Sequence, residues 1–256
     1  MSPLEQHPFP SRTAFAEARP QVEVDQGLRA FMLGVYNNMV LGLAISGLVA
    51  FGTNMLAVTQ TAAGRIALTP LGQALYVSPL KWVVMLAPLA FIFFFSFRMD
   101  RMSAASARTT FLAFAAVMGL SLSTLLVVFK LGSIVQVFFI TAAAFGALSL
   151  YGYTTQRSLS GMGSFLIMGL IGLILASLVN IFLASSALQF AISVIGVLIF
   201  AGLTAYDTQK LKEMYVYGNF DGEAAAKASI FGALTLYLDF INMFQFLLAL
   251  LGNRNE

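Results

Sequence analysis

Asp207 and Asp239 are the residues of this chain whose type and setting point to chemistry: each sits in or at the end of a long apolar run, and no other acid does. An ionisable group inside a membrane span is rare, usually faces the bundle interior, and marks an ion path or a proton relay. Packing alone would be served at lower cost by asparagine. Two carboxyls in one low-dielectric site cannot both ionise cheaply, so they hold one proton between them and titrate as a pair. Singly protonated, the pair forms a short charge-assisted hydrogen bond. Once the proton leaves, two charges about 4 Å apart repel by roughly 4 kcal/mol at an effective dielectric of 20. That shifts a two-state equilibrium about a thousandfold. The freed carboxylates would offer oxygen ligands to calcium, though fewer than the roughly 6 to 8 it prefers, so the expected metal binding at Asp207 and Asp239 is weak and transient.

The elements that must position this pair are membrane helices. Hydrophobic residues make up 59% of the 256 and charged residues 10%, against about a quarter charged in soluble domains. Runs of roughly 20 apolar residues predict seven spans at about 31–52, 82–97, 110–129, 134–154, 163–184, 188–208 and 229–251, the second short and interrupted by Pro88. The fold class is therefore an all-α integral membrane protein, a seven-helix bundle over residues 28–256. Residues 1–27 are polar, carry Pro3, Pro8, Pro10 and Pro20, and lack the charged-then-apolar order of a signal peptide. They read as a disordered cytoplasmic tail. The connection from Thr53 to Lys81 reads as an interfacial element.

Lysine and arginine concentrate on the tail (Arg12, Arg19, Arg29) and on alternate connections (Arg98, Arg101, Arg108; Arg157; Lys210, Lys212, Lys227). The positive-inside rule then puts the N-terminus in the cytoplasm and, with seven spans, the C-terminus outside. Asp207 falls near the cytoplasmic face and Asp239 about ten residues into the last span, roughly 15 Å at 1.5 Å per residue. The two carboxyls can meet in the cytoplasmic half. Helical spacing agrees: Gly232, Thr235, Asp239 and Asn242 share one stripe, Ser193, Gly196, Thr204 and Asp207 another, and Gly169, Gly172, Ala176 and Asn180 a third. Small residues at such spacing let helix backbones approach in lipid.

The segments from Ala201 to Lys212, containing Tyr206-Asp207-Thr208-Gln209, and from Ala233 to Asn242, containing Leu236-Tyr237-Leu238-Asp239-Phe240-Ile241-Asn242, resemble the signature of the Bax inhibitor-one (transmembrane Bax inhibitor motif) family in its bacterial branch. Leu28 to Gly47 and Ser78 to Arg101 are also similar to bacterial members. The resemblance implies a central last helix, a proton-sensitive calcium leak in a bacterial inner membrane, and Asp207 and Asp239 sharing a proton as the pH sensor. It implies too that an arginine early in the third helix pairs with the first aspartate. Matching Val117-Met118-Gly119-Leu120-Ser121 without gaps puts it at Arg101, with Arg98 one turn earlier and Arg108 two turns later, and Asp100 is a competitor for its guanidinium. Tyr206, Tyr237, Asn242 and Arg98 are the supporting candidates.

Two other readings compete. A proton-coupled cation transporter also uses aspartate pairs, but the inverted repeats it would show are not evident. An intramembrane aspartyl protease would use two such acids, and Tyr206-Asp207 resembles half of the presenilin-type motif. Its second half is a Gly-x-Gly-Asp run, and here Asp239 follows Leu236-Tyr237-Leu238. The chain is thus not expected to be an enzyme. With no cysteine and a single histidine, His7, in the tail, no thiolate or His-rich metal site is available. No cofactor is expected beyond calcium as the transported ion. The partners are calcium ions, protons and the bilayer, with Trp82 beside Lys81 as an interfacial anchor. No basic run suggests nucleic acid, and no protein partner is indicated.

Overall fold

The last helix is the most deeply buried of the long apolar helices, and the other described helices are arranged around it. The structure is a computed structural model and describes residues 21–60, 66–98, 101–218, 220 and 222–255. Helix α9 (Gly222–Leu251) packs on α8 (Ser186–Tyr217), α1 (Gln21–Ala57), α6 (Leu131–Thr154) and α4 (Ala104–Leu122). Half of its apolar window is buried, against 17% for α6 and for α7 (Ser160–Leu183). Small residues allow this. A Cβ on Gly232 would press on Leu211 of α8 and Val35 of α1, so glycine there lets three helices meet closely. The C-terminal helix is central, as expected.

Among the described residues, six helices are long and apolar enough to cross a membrane. The bent pair Pro70–Val77 and Leu80–Phe95, which turn by 62°, makes a seventh if its two pieces form one span. It comprises α2 (Pro70–Gly72), a π-helical turn (Gln73–Val77) and α3 (Leu80–Arg98). The break falls at Ser78, whose backbone is extended, because Pro79 disfavours a helical conformation in the residue before it. Pro88, by contrast, lies within α3 without ending it. The chain is thus an all-α membrane protein with one small addition: β1 (Val58–Gln60) pairs antiparallel with β2 (Ile66–Leu68) in the 53–81 connection. Thr69 ties this connection down. It caps α2 through Gly72 N–H and donates its hydroxyl to the Leu56 carbonyl of α1 at 2.8 Å.

Several helices overrun the predicted spans. α1 begins at Gln21, inside the expected tail, of which residues 1–20 lie outside the described residues. α8 continues to Tyr217, and α9 starts at Gly222. The third span is jointed at Ser123 and Thr124, before α5 (Leu125–Val128). Both hydroxyls donate to carbonyls three residues back, 2.6 Å to Leu120 and 2.9 Å to Ser121, competing with the helix ladder. At the same end of the bundle the C-terminal residues are stitched to the α5–α6 connection: Lys130 N–H donates to Asn253 O, and Asn255 N–H to Val128 O, each at 2.9 Å.

Candidate functional site: a carboxyl pair between α8 and α9

α8 and α9 make the most extensive helix pairing of the fold, and the two aspartates meet across it. The Asp207 and Asp239 side chains are within hydrogen-bonding reach of one another. Asp239 is 5% exposed and Asp207 half-buried. Asp239 Oδ2 is buried with no N–H or O–H donor. Two ionised carboxylates have no hydrogen to share, and a buried acceptor left unmet costs about 1–3 kcal/mol. One proton on the pair would supply the missing donor.

The cation whose charge acts on Asp207 is Lys210, one turn further along α8. Arg101 is exposed on the turn before α4, Arg98 is exposed at the end of α3 with its guanidinium 5.7 Å over the Phe94 ring, and Arg108 is exposed on α4. Among the described residues no ion pair joins any of them to an aspartate. The reason is placement: α4 packs on α1, α3 and α9, whereas α8 packs on α9, α6, α7 and α1. Asp100, the expected competitor for Arg101, lies outside the described residues.

The supporting candidates point elsewhere. Tyr206 turns toward α7, where a Cβ on Gly163 would run into its ring. Lys210 Nζ lies 5.9 Å over that ring. Asn242 donates to the Leu238 carbonyl of its own helix at 2.8 Å. Tyr237 is fully buried, edge-on to Phe111 and Phe114 at 5.7 and 5.8 Å. Its hydroxyl lies 2.7 Å from Ser46 Oγ, whose hydrogen is committed to the carbonyls of Ala115 and Gly42. Tyr237 is therefore the donor, and the contact joins α9, α1 and α4 two residues before Asp239. Among the described residues no third acidic or histidine side chain joins the aspartates to make a metal-binding group. Gly172, counted in the α7 stripe, faces open space, whereas Gly169 meets Ile199.

The residues that follow Asp207 on α8 fasten it to its neighbours. Thr208 donates to the Thr204 carbonyl at 2.7 Å, so Ser149 of α6 donates to Thr208 at 2.9 Å and Tyr36 of α1 to Ser149 at 2.7 Å. This chain of hydroxyls ties three helices beside the pair. Gln209 holds the α6–α7 connection by accepting from Leu159 N–H at 2.7 Å and donating to Arg157 O at 2.9 Å. Lys212 Nζ donates to Tyr153 O at 2.9 Å, near the end of α6. A polar run Thr208-Gln209-Lys210-Leu211-Lys212 at the end of an apolar helix was the available signal. Ser149 and Tyr36 carried none, being lone hydroxyls in apolar runs.

Comparison with known proteins gives one consistent family. The family described as inhibitor of apoptosis-promoting Bax1 matches residues 28–256. An uncharacterized protein of Caulobacter vibrioides is 46% identical over 93% of this chain and 94% of its own. Protein RP147 of Rickettsia prowazekii is 45% identical over 91% and 93%. The inner membrane protein YbhL of Escherichia coli is 44% identical over 91% and 95%.

Proposed function

The chain belongs to the Bax inhibitor-one family, whose model matches residues 28–256, and we propose that it is a pH-sensitive calcium leak channel closed by a proton shared between Asp207 and Asp239. The observation that carries the reading is the meeting of the two carboxyls in the core of the bundle, with a buried Asp239 oxygen that lacks a donor. The shared proton latches α8 to α9. Its loss leaves two like charges in a low-dielectric site, and their repulsion drives the helices apart. The opened site presents carboxylate oxygens to calcium, too few for tight coordination, which suits passage over storage.

The likeness to a named inner membrane protein of Escherichia coli supports a bacterial inner membrane location. The distribution of arginine and lysine supports a cytoplasmic N-terminus. The test is calcium flux in dye-loaded liposomes containing the protein. Calcium should run down its gradient without ATP, faster as pH rises through the pair's titration and slower as protons are supplied. Accumulation of calcium against its gradient, driven by a proton gradient, would make the protein a transporter and overturn the channel reading.

A further inference from the structure

A groove of about 1320 Å³ runs between α1 and α6, floored by Phe240 of α9. Its walls are apolar, among them Leu33, Val40 and Leu48 of α1 and Leu150 of α6, all exposed at the bundle surface. Two glycines hold it open: a Cβ on Gly47 or on Gly146 would meet nothing within 4 Å. From Arg29 to Leu48, at 1.5 Å per residue, the groove extends about 28 Å along α1, close to the roughly 30 Å of a bilayer's hydrocarbon core. Its volume exceeds the range of about 300–1,000 Å³ common for small-molecule pockets. An apolar gap of this kind is a poor site for water, and along helices that cross a membrane its neighbours would be lipid chains.

One end of the groove is polar and cationic. Arg29, near the start of α1, is exposed, and among the described residues it has no ion-pair partner. Tyr153 lines the groove at the end of α6, with Lys212 Nζ 5.6 Å over its ring. Two cations thus stand where a long apolar gap reaches the end of its helices, the depth at which arginine and lysine side chains extend toward the headgroups. A guanidinium matches the oxygens of a phosphate in geometry and charge.

We propose that this groove binds a single anionic phospholipid, an acyl chain lying between α1 and α6 and the phosphate at Arg29. The full chain, reconstituted in vesicles of equal phosphatidylglycerol and phosphatidylcholine and taken into detergent, is examined by native mass spectrometry for retained lipid. One phosphatidylglycerol per chain is expected. Gly146→Phe and Gly47→Phe, which fill the gap from opposite helices, each lower retention about tenfold or more. Arg29→Ala keeps a lipid but loses the preference for phosphatidylglycerol. Two filling variants guard against one that fails to fold, and thermal unfolding reports whether each is folded. Retention of lipid by both folded filling variants at the wild-type level, or equal retention of the two lipids by the wild-type chain, overturns the proposal. Retention that emerges only after residues 1–20 are removed makes that segment the occupant and overturns it as well.

Discussion

At the residue scale the pair of aspartates was legible because a carboxylate in an apolar run is costly enough to stand out from its neighbours. Which cation stands near it was not, because that depends on which helices α9 separates. The hydroxyl chain Tyr36–Ser149–Thr208 joins residues up to 113 positions apart, and no local pattern reports such a distance. The proposed latch is present when the pair holds its proton and is lost as pH rises and the proton leaves. Asp207→Asn and Asp239→Asn should each abolish the pH dependence of calcium flux, since an amide still hydrogen-bonds but cannot titrate. A wild-type pH profile in both variants would remove the pair from the mechanism. Lys210→Ala should move the flux midpoint to higher pH, because the cation beside Asp207 favours the ionised form. Arg101→Ala should leave the midpoint in place. A larger shift from Arg101 than from Lys210 would mean that the pairing forms in a state different from the one described.

At the scale of elements, the apolar runs marked every span but not the ends of the helices. α1, α8 and α9 project beyond their apolar stretches because helix continues into polar residues where hydropathy no longer reports it. The β1–β2 hairpin and the bend at Ser78 sit in the one long connection, where neither period is sustained for long enough to read. Spacing marked glycine stripes, yet spacing cannot say which glycines touch a neighbour. On α6, a Cβ at Gly152 would collide with the Ala205 backbone of α8, whereas Gly146 faces open space. Gly152→Ala should therefore lower the unfolding temperature in detergent and weaken α6–α8 packing, at a cost of about 1–3 kcal/mol. Gly146→Ala should be neutral or stabilising by up to about 1 kcal/mol, the difference in helix propensity. Equal effects at the two sites would show that α6 does not approach α8 as described.

At the scale of the molecule, fold class and the central last helix followed from span count together with the resemblance carried by the two aspartate segments. The sidedness of the bundle is open to direct test because the chain has no cysteine. With a cytoplasmic N-terminus, Arg157→Cys between α6 and α7 should react with an impermeant maleimide only from the cytoplasmic side, and Ala187→Cys at the start of α8 only from outside. The reverse pattern would invert the proposed orientation. In the proposed mechanism one proton on Asp207 and Asp239 keeps α8 and α9 together. Infrared difference spectra recorded across the pH range of the flux change, on the protein in lipid, test it most directly. Loss of one protonated-carboxyl band is expected at the pH where flux rises, with that band absent in Asp207→Asn and in Asp239→Asn. A band that persists while flux changes, or that survives in both variants, would contradict it.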